Sequence, residues 1–453
     1  MQTKSPDILR LARFSSLSTW SASHIVLTEM HSKYPLVPLF KILKRVKEPI
    51  NIEDNTLYRR ITVRNNGRGV VQRDELHGRE IGTKRQFVAH AGQLIISRID
   101  ARNGAFGIVP KELEGAIVTN DFWLFEVKNA LTEYLMLVLS SKRFQEHWQS
   151  QSSGTTNRQR IEEIDFLGSK IALPPLEVQG NLIDDCRSAA DAATAASVNV
   201  KRIEHSISEY LTNSLGIIEI RHPKRQGLST AMFSELGKWG IDFLTSDRIV
   251  YNKRFPVMRI CDICSSGSGG TPTRTNADYY KGNIPWVKTG EVQDEVIFDT
   301  EEKITQAAIS NSSAKIYPKG SIVIAMYGQG LTRGRTAKLG VDAATNQACL
   351  VLYDIDTDTI LPDYLWYYLQ GEYQHIRGLA YGNNQPNLSA DVINNYPIVI
   401  PPISSEKASE ITQSSIVAEI CRRKEMIKDL NAKAVKIKTQ SEQRFEEAIF
   451  NEA

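Results

Sequence analysis

Ile171-Ala-Leu-Pro-Pro175 and Ile398-Val-Ile-Pro-Pro402 are near copies of one another, 227 positions apart. Each is a short apolar run closed by two prolines. Proline fixes φ and has no N–H to donate, so the pair ends a strand and forces a new element to begin. The residues after each stop are helical in pattern. The residues before it mix β-type runs with Gly- and Asn-rich turns. The chain therefore reads as one plan written twice: a globular domain, a proline stop, a long helix.

Working outward, five further matches keep the same order. Phe14-Ser-Ser-Leu-Ser-Thr-Trp20 returns as Phe233-Ser-Glu-Leu-Gly-Lys-Trp239, and Tyr34-Pro35 as Phe255-Pro256. Gly92-Gln-Leu-Ile-Ile-Ser97 returns as Gly320-Ser-Ile-Val-Ile-Ala325, and Thr119-Asn120 as Thr345-Asn346. Glu133-Tyr-Leu-Met-Leu-Val-Leu139 returns as Asp363-Tyr-Leu-Trp-Tyr-Tyr-Leu369. The offsets stay between 219 and 230 residues. Ordered self-similarity over nearly the whole chain marks a duplicated architecture; the blander reading is shared strand and turn grammar. The globular parts run from about 35 to 175 and from about 256 to 402. Each is expected to hold a strand, Leu94-Ile-Ile-Ser97 or Ile322-Val-Ile-Ala325, and a short amphipathic helix, near 131–148 or 362–377.

Beyond Pro175, Leu182, Cys186, Ala189, Ala193, Ala196, Val200, Ile203, Ile207 and Tyr210 recur at alternating spacings of four and three. That is an a/d seam, alanine-rich at its middle. Ile416, Ile420, Arg423, Ile427, Leu430, Ala434 and Ile437 repeat it in the second copy. Each helix is roughly 35 residues, or about 50 Å at 1.5 Å per residue. A lone helix with an apolar stripe needs a partner to bury it. The economical solution is that the two pair, antiparallel for a pseudo-twofold repeat; the alternative is that each packs on its own domain. Arg423 interrupts the seam, and a polar seam residue sets register at some cost in stability.

A length of 453 residues exceeds one hydrophobic core and suggests two to three domains. Hydrophobic residues at 41% and charged residues at 24% exclude wholesale disorder. A formal net charge of +3 permits nucleic-acid binding without demanding it. Five scattered cysteines read as reduced thiols. Cys261-Asp-Ile-Cys264 lacks the second pair that a zinc site needs, so both are expected to be ordinary strand cysteines. The opening MQTKSPDILRLARF has no apolar core of signal type, and no run approaches the ~18 apolar residues of a membrane span. No membrane is expected as a partner, and a cytoplasmic location is.

Gly269-Gly-Thr-Pro-Thr-Arg274 is followed by Tyr279-Tyr-Lys-Gly-Asn-Ile-Pro-Trp-Val-Lys-Thr-Gly-Glu-Val292 and, later, by Asn387-Leu-Ser-Ala-Asp-Val-Ile393. With Ile398-Val-Ile-Pro-Pro402 and the helix after it, this pattern resembles the specificity subunits of Type I restriction–modification enzymes. The resemblance covers almost all of the chain. The first copy departs from the opening: it has no Gly-Gly-Thr-Pro near residue 45, and Tyr58-Arg-Arg-Ile-Thr-Val-Arg-Asn-Asn-Gly67 stands where Ile-Pro-Trp-Val-Lys would be. Such divergence is expected if the domains read different sequences.

The resemblance implies an α+β chain. Two similar target-recognition domains, mixed β with short helices, are joined by two long helices that form an antiparallel coiled coil with pseudo-twofold symmetry. The boundaries follow: 1–175 for the N-terminal segment and first recognition domain, 176–215 for the first spacer helix, 216–255 for a connector, 256–402 for the second recognition domain and 403–453 for the second spacer helix. The resemblance further implies double-stranded DNA as ligand, one half of a bipartite target per domain. It implies two methylation subunits docked on the helices and motor and nuclease subunits in the full complex. Three other readings remain open: a scaffold using the same fold for protein binding, the specificity module of another DNA-modifying defence system, and a stand-alone enzyme with an unrecognised site.

Lys, Arg and backbone N–H groups hold phosphates, while Arg suits guanine and Asn or Gln suits adenine. In the first domain Lys84, Arg85 and Gln86 form one basic, polar set, and Arg98, Asp100, Arg102 and Asn103 form a second at the exit of a strand. Thr155, Thr156, Asn157, Arg158, Gln159 and Arg160 form a third, after Ser152-Ser-Gly154. The second domain has counterparts in Tyr327, Gln329, Thr332, Arg333 and Arg335, threaded by glycines, and in Asn383, Asn384 and Gln385. Thr271, Arg274, Lys288 and Thr289 lie in the family motif. A solvated polar loop is the competing account of each. Arg221-His-Pro-Lys-Arg225, between the copies, reads as a solvated turn first and a phosphate contact second.

No catalytic chemistry is expected of the chain. An adenine methyltransferase needs an Asn/Asp-Pro-Pro-Tyr/Phe loop, and Asn394-Asn-Tyr-Pro397 has the wrong order. No GxxxxGK[ST] loop occurs, and Gly328-Gln-Gly330 lacks the third glycine and acidic partner of a dinucleotide site. Asp278 with Glu301-Glu-Lys303 is too common a spacing to argue a metal nuclease. Neither a cofactor nor a metal is expected.

Overall fold

The computed structural model describes residues 32–65, 67–101, 104–150, 162–220, 248–251, 254–328, 331–380, 387–407 and 409–450. The Phe14/Phe233 repeat pair and the Arg221–Arg225 cluster lie outside them. The chain divides into two compact units, one of Met1–Ala196 with Ala432–Ala453, the other of Ser197–Asn431.

In the first unit the strands are β1 (Leu36–Pro38), β2 (Leu43–Val46), β3 (Pro49–Asn51), β4 (Leu57–Val63), β5 (Val70–His77), β6 (Arg85–Ala89), β7 (Leu94–Ser97), β8 (Phe106–Ile108), β9 (Ala116–Val118), β10 (Phe122–Val127) and β11 (Lys170–Ala172). Helices α1 (Thr132–Ser140), α2 (Lys142–Ser150) and α3 (Glu163–Gly168) precede β11, and α4 (Leu176–Leu215) begins directly after Pro175. One sheet has the order β2-β10-β7-β8, a second the order β3-β6-β9-β4-β5, and β1 pairs with β11.

The second unit holds β12 (Ile217–Ile220), β13 (Arg248–Tyr251), β14 (Val257–Arg259), α5 (Ile260–Ile263), β15 (Ser265–Ser268), β16 (Ile284–Val287), β17 (Val296–Ile297) and β18 (Lys303–Ile304). Next come α6 (Gln306–Ser310), β19 (Ile316–Tyr317), β20 (Ile322–Ala325), β21 (Thr336–Leu339), β22 (Ala343–Thr345) and β23 (Cys349–Tyr353). Helices α7 (Pro362–Gly371), α8 (Tyr373–Gly378) and α9 (Ala390–Asn394), then β24 (Pro397–Val399) and α10 (Gln413–Ile449), complete it. Its sheets run β15-β23-β20-β21-β17 and β18-β16-β22-β19, β14 pairs with β24 and β12 with β13.

The plan is thus the same twice. β2-β10-β7-β8 corresponds to β15-β23-β20-β21, and β6-β9-β4-β5 to β19-β22-β16-β18. Each second sheet contains one parallel pair, β4 with β9 and β16 with β22. Tyr58–Val63 therefore does occupy the place of the Ile-Pro-Trp-Val strand. Each expected amphipathic helix is broken in two, α1 and α2 in one unit, α7 and α8 in the other.

The four-residue strands β7 and β20 are buried on both faces, which is why they read as unbroken apolar runs. Leu94 and Ile96 pack in the cluster of Trp123, Phe125, Tyr134 and Phe166, while Ile95 packs with Ile61, Val63 and Leu124. Ile322 and Ile324 likewise pack with Tyr364 and Tyr368, and Val323 and Ala325 with Val287 and Tyr317. Each fully buried Ile or Leu contributes about 1.5–3 kcal/mol of hydrophobic stabilisation. Gly92 (φ 82°) and Gly320 (φ 91°) enter these strands in the left-handed region, where a Cβ would be strained. Their N–H groups donate to Val109 O at 2.9 Å and Leu339 O at 2.8 Å.

The proline stops are built alike. Leu173 N donates to Pro35 O at 3.0 Å and Ile400 N to Pro256 O at 2.8 Å, so the Tyr-Pro and Phe-Pro repeats close the same small sheet. A fully buried glutamine then opens each long helix. Gln179 Oε1 accepts from Leu131 N at 2.8 Å and its Nε2 donates to Pro174 O at 2.8 Å. Gln413 Oε1 accepts from Leu361 N at 2.7 Å, and its Nε2 donates to Pro401 O at 2.8 Å and Thr359 O at 3.0 Å.

Along α4 and α10 the seam residues are buried or half-buried and most positions between them are exposed. In the first unit the beginning of α4 meets the end of α10, Ser441 Oγ lying 3.7 Å from Cys186 Sγ. In the second unit the end of α4 meets the beginning of α10: Arg423 donates to Ser206 O and, at 3.0 Å, to Ser206 Oγ, and its guanidinium lies over Tyr210. This order of contacts is that of an antiparallel pair. The two expected packings coexist, because Ile183 of α4 also joins the first unit's core and Ile416 and Ile420 of α10 the second's.

Candidate nucleic-acid interface

The loops leaving β7 and β20 are corresponding structures. Ser97 N donates to Ala105 O and Ala325 N to Arg335 O, both at 2.9 Å, closing the two loops at their necks. Arg98 N then donates to Asp121 O at 2.8 Å, and Met326 N to Ala348 O at 2.9 Å. Arg98 thus stands where the second unit has Met326. Its guanidinium lies 5.5 Å from the Trp123 ring, and its Nε is buried with no hydrogen-bond partner among the described residues. Arg102 and Asn103 lie outside the described residues.

In the second unit Tyr327 is 42% exposed beside Leu331 at 65%, and Arg333 and Arg335 are half-exposed. Arg335 Nε lies 3.9 Å from Asp294 Oδ2. The loop is braced from α8: Tyr373 Oη donates to Leu331 O at 2.7 Å, and Arg377 Nη1 donates to Tyr373 Oη at 2.9 Å. Gln329 lies outside the described residues, as do Thr155, Asn157, Arg158, Asn383, Asn384 and Gln385.

Of the other cations expected at DNA, Lys84, Arg274 and Lys288 are already matched by carboxylates. Lys84 Nζ donates to Asp54 Oδ1 at 2.6 Å and to Gly78 O at 2.8 Å. In the family motif Arg274 Nη1 pairs with Glu302 Oε2 at 2.6 Å and lies 4.3 Å from the Tyr280 ring. Lys288 Nζ reaches Glu301 and Glu302 at 2.8 and 2.9 Å. Hydrogen bonds from Arg274 and Lys288 hold the Glu302 carboxyl below the usual carboxylate range. This arrangement locks the motif. Trp286 Nε1 donates to Gly270 O at 3.0 Å, and a Cβ at Gly270 would sit 2.2 Å from Ala314 N, so only glycine fits. Thr271 is exposed, and Thr289 opens a short 3-10 turn, half-exposed.

Cys261 and Cys264 correct a sequence expectation. Cys261 lies on α5 and Cys264 caps it, neither on a strand; Cys264 Sγ donates back to Ile260 O at 3.4 Å, the bond of a helical turn. Among the described residues no group of three or more His, Cys, Asp or Glu is placed to hold a metal ion. No helix among them is long and apolar enough to cross a membrane.

The structure also brings in a segment that spacing did not single out for contact. The turn joining β4 and β5 touches the loop after β7, where Gly67 N donates to Gly104 O at 2.9 Å. Arg64, Asn65 and Arg68 are exposed on that turn. The signal was an Asn-Asn-Gly turn flanked by arginines, but nothing local says which loop it meets.

A family model described as the Type I restriction modification DNA specificity domain matches residues 39–184 and 252–425, more than half of the chain. The specificity subunit of the Type I restriction enzyme MjaIX of Methanocaldococcus jannaschii is 25% identical over 180 residues, 38% of this chain and 40% of that protein. The EcoR124I/EcoR124II specificity subunit of Escherichia coli is 24% identical over 143 residues, 31% of this chain and 35% of that protein. The chain thus spans well under half the length of the curated relatives it matches. A chain from a solved structure concerned with complex assembly and conformational transition of the type I R-M system superposes with a TM-score of 0.60. That match has 15% identity and covers 93% of this chain and 98% of the other.

Proposed function

Since the chain belongs to the Type I restriction modification DNA specificity family, we propose that it is the sequence-reading subunit of a Type I restriction–modification complex and has no catalytic chemistry of its own. Each unit reads one half of a bipartite duplex target. The working division assigns recognition to residues 1–175 and 256–402, spacing to 176–215 and 403–453, and connection to 216–255. The observation that carries the reading is the repeated strand order, which ends β7 and β20 in corresponding polar loops. Two copies of one reader suit a target of two parts.

The candidate contacts are the described Lys84, Arg98, Thr271, Arg274, Lys288, Thr289, Tyr327, Arg333 and Arg335, together with Arg102, Asn103, Thr155, Asn157, Arg158, Gln329, Asn383, Asn384 and Gln385. Lys84, Arg274 and Lys288 must exchange carboxylate partners for phosphates to act directly, so the loops after β7 and β20 rank first. Methylation subunits, two of them, dock on the long helices in this reading. It is supported by Leu176, Val198, Met426 and Val435, apolar side chains left exposed there. Motor and nuclease subunits join for cleavage, and the assembly works in the cytoplasm.

Exchanging residues 35–175 for the matching domain of another specificity subunit is expected to change one half of the methylated motif and leave the other intact. Sequencing of modified bases in cells carrying the hybrid reads this out. A change in both halves, or in neither, would defeat the assignment.

A further inference from the structure

The β4–β5 hairpin is the longest ribbon among the described residues, strands of seven and eight residues, or roughly 24 Å at 3.4 Å per residue. A register shift between Arg60 and Ile61 puts a bulge in it, which tightens the local twist. Residues 57–77 hold five arginines against two carboxylates, a net charge of +3 that equals the formal charge of the entire chain.

The pairing within the hairpin is uneven. Asp74 takes Arg60 in a two-pronged bond at 2.6 and 2.7 Å and Arg73 at 3.5 Å, and Glu75 takes Arg59 at 3.9 Å. Both carboxylates are then engaged, and all on the strands. Arg64 and Arg68, at the turn, have no acidic partner among the described residues, and both are exposed. Elsewhere in this unit the exposed Lys44, Lys84 and Lys142 find carboxylates, at Glu126, Asp54 and Glu146, whereas Lys47, Arg85 and Lys111 have none among the described residues. It is therefore the position of Arg64 and Arg68 at the tip of the ribbon that sets them apart. Charge on an edge strand can serve merely to prevent aggregation, but that account covers β5 and not the turn.

Two further observations give the turn a direction. Gly67 N donates to Gly104 O, which fastens it to the loop after β7, the leading candidate for base contact. Among the described residues of the second unit, the corresponding strands β16 and β18 form no such ribbon, because they are joined by a segment that passes through β17.

We infer that the β4–β5 turn, through Arg64 and Arg68, is a phosphate clamp that seats the first recognition unit on duplex DNA. The inference rests on the DNA-reading function proposed above. A two-stranded ribbon fits the major groove, and guanidinium groups at its tip meet the flanking phosphates. Asn65, exposed beside Arg64, carries an amide of the kind that reads adenine.

The test measures binding of the full chain to a mixed-sequence duplex over a series of salt concentrations. In the variant with Arg64→Ala and Arg68→Ala, affinity is expected to fall on the order of tenfold. The slope of log K against log salt is expected to shrink by about two, one per lost phosphate contact. Thermal midpoints should match, because the residues are exposed. The pair Arg64→Gln and Arg68→Gln, which keeps length and polarity, should lose as much and guards against a folding artefact. If the unaltered chain binds and both variants match its affinity and slope, the clamp is wrong and the DNA-reading function stands. If the unaltered chain shows no salt-dependent binding, the clamp and the function beneath it both fall.

Discussion

Gln179 and Gln413 show how much one polar side chain can decide. Each is fully buried, and each ties the proline stop behind it to the start of a domain helix, at Leu131 or Leu361. Loss of a buried partner leaves the remaining donors and acceptors unsatisfied, at about 1–3 kcal/mol. Gln413→Ala is therefore expected to lower the denaturant midpoint by the equivalent of about 3 kcal/mol, and Gln179→Ala by less, since Gln413 makes three hydrogen bonds and Gln179 two. Equal, negligible effects would refute the role. Sequence spacing missed this pair, because the glutamines sit seven residues apart in register relative to the Pro-Pro repeats and only the bonds align them. The same scale explains the motif cations. Arg274 and Lys288 were legible as basic residues, but Glu302, 28 and 14 positions away, was not legible as their shared partner.

At the scale of elements, the heptad seams were readable because helix burial follows a fixed period, whatever the partner. Arg423 stood out as the break in the second seam, and its bond to Ser206 supplies the reason. It shares Glu419 with Arg422, and hydrogen bonds from Arg422 and then Arg423 pull that carboxyl down to about 2. A carboxyl depressed in the folded state contributes stability above its ordinary value of 4.5, and the contribution is lost as pH falls through about 2. Unfolding midpoints measured between those limits should fall steeply with acid in the native chain and more gently in Glu419→Gln. Parallel curves would mean that the triad contributes nothing to the helix pair. The residues are partly exposed, so added salt should narrow the difference.

For the whole molecule, the proposed division of labour gives α4 and α10 a metric task. Each residue of helix adds 1.5 Å, so a heptad inserted into both helices lengthens the pair by about 10 Å. Inserted after Ala196 and after Asn431, it keeps the seam in phase. The modified motif is expected to keep both halves and widen its central gap by about three base pairs, at 3.4 Å each. Methylome sequencing checks this, and an unchanged gap would dissociate helix length from target spacing. An insertion of three residues in one helix alone, out of phase with its partner, should instead abolish modification.

The duplication, the Pro-Pro stops, the buried strands β7 and β20 and the two seamed helices were determined by the sequence alone. All of them rest on local periodicity and on chain stiffness, which neighbouring residues set. Which cations stay unmatched, which turn meets which loop and which glutamine replaces which were decided only by tertiary structure. Those facts depend on pairs such as Gly67 with Gly104 and Arg274 with Glu302, whose partners are brought together by the sheets, and no periodicity in the chain encodes a distance across a sheet.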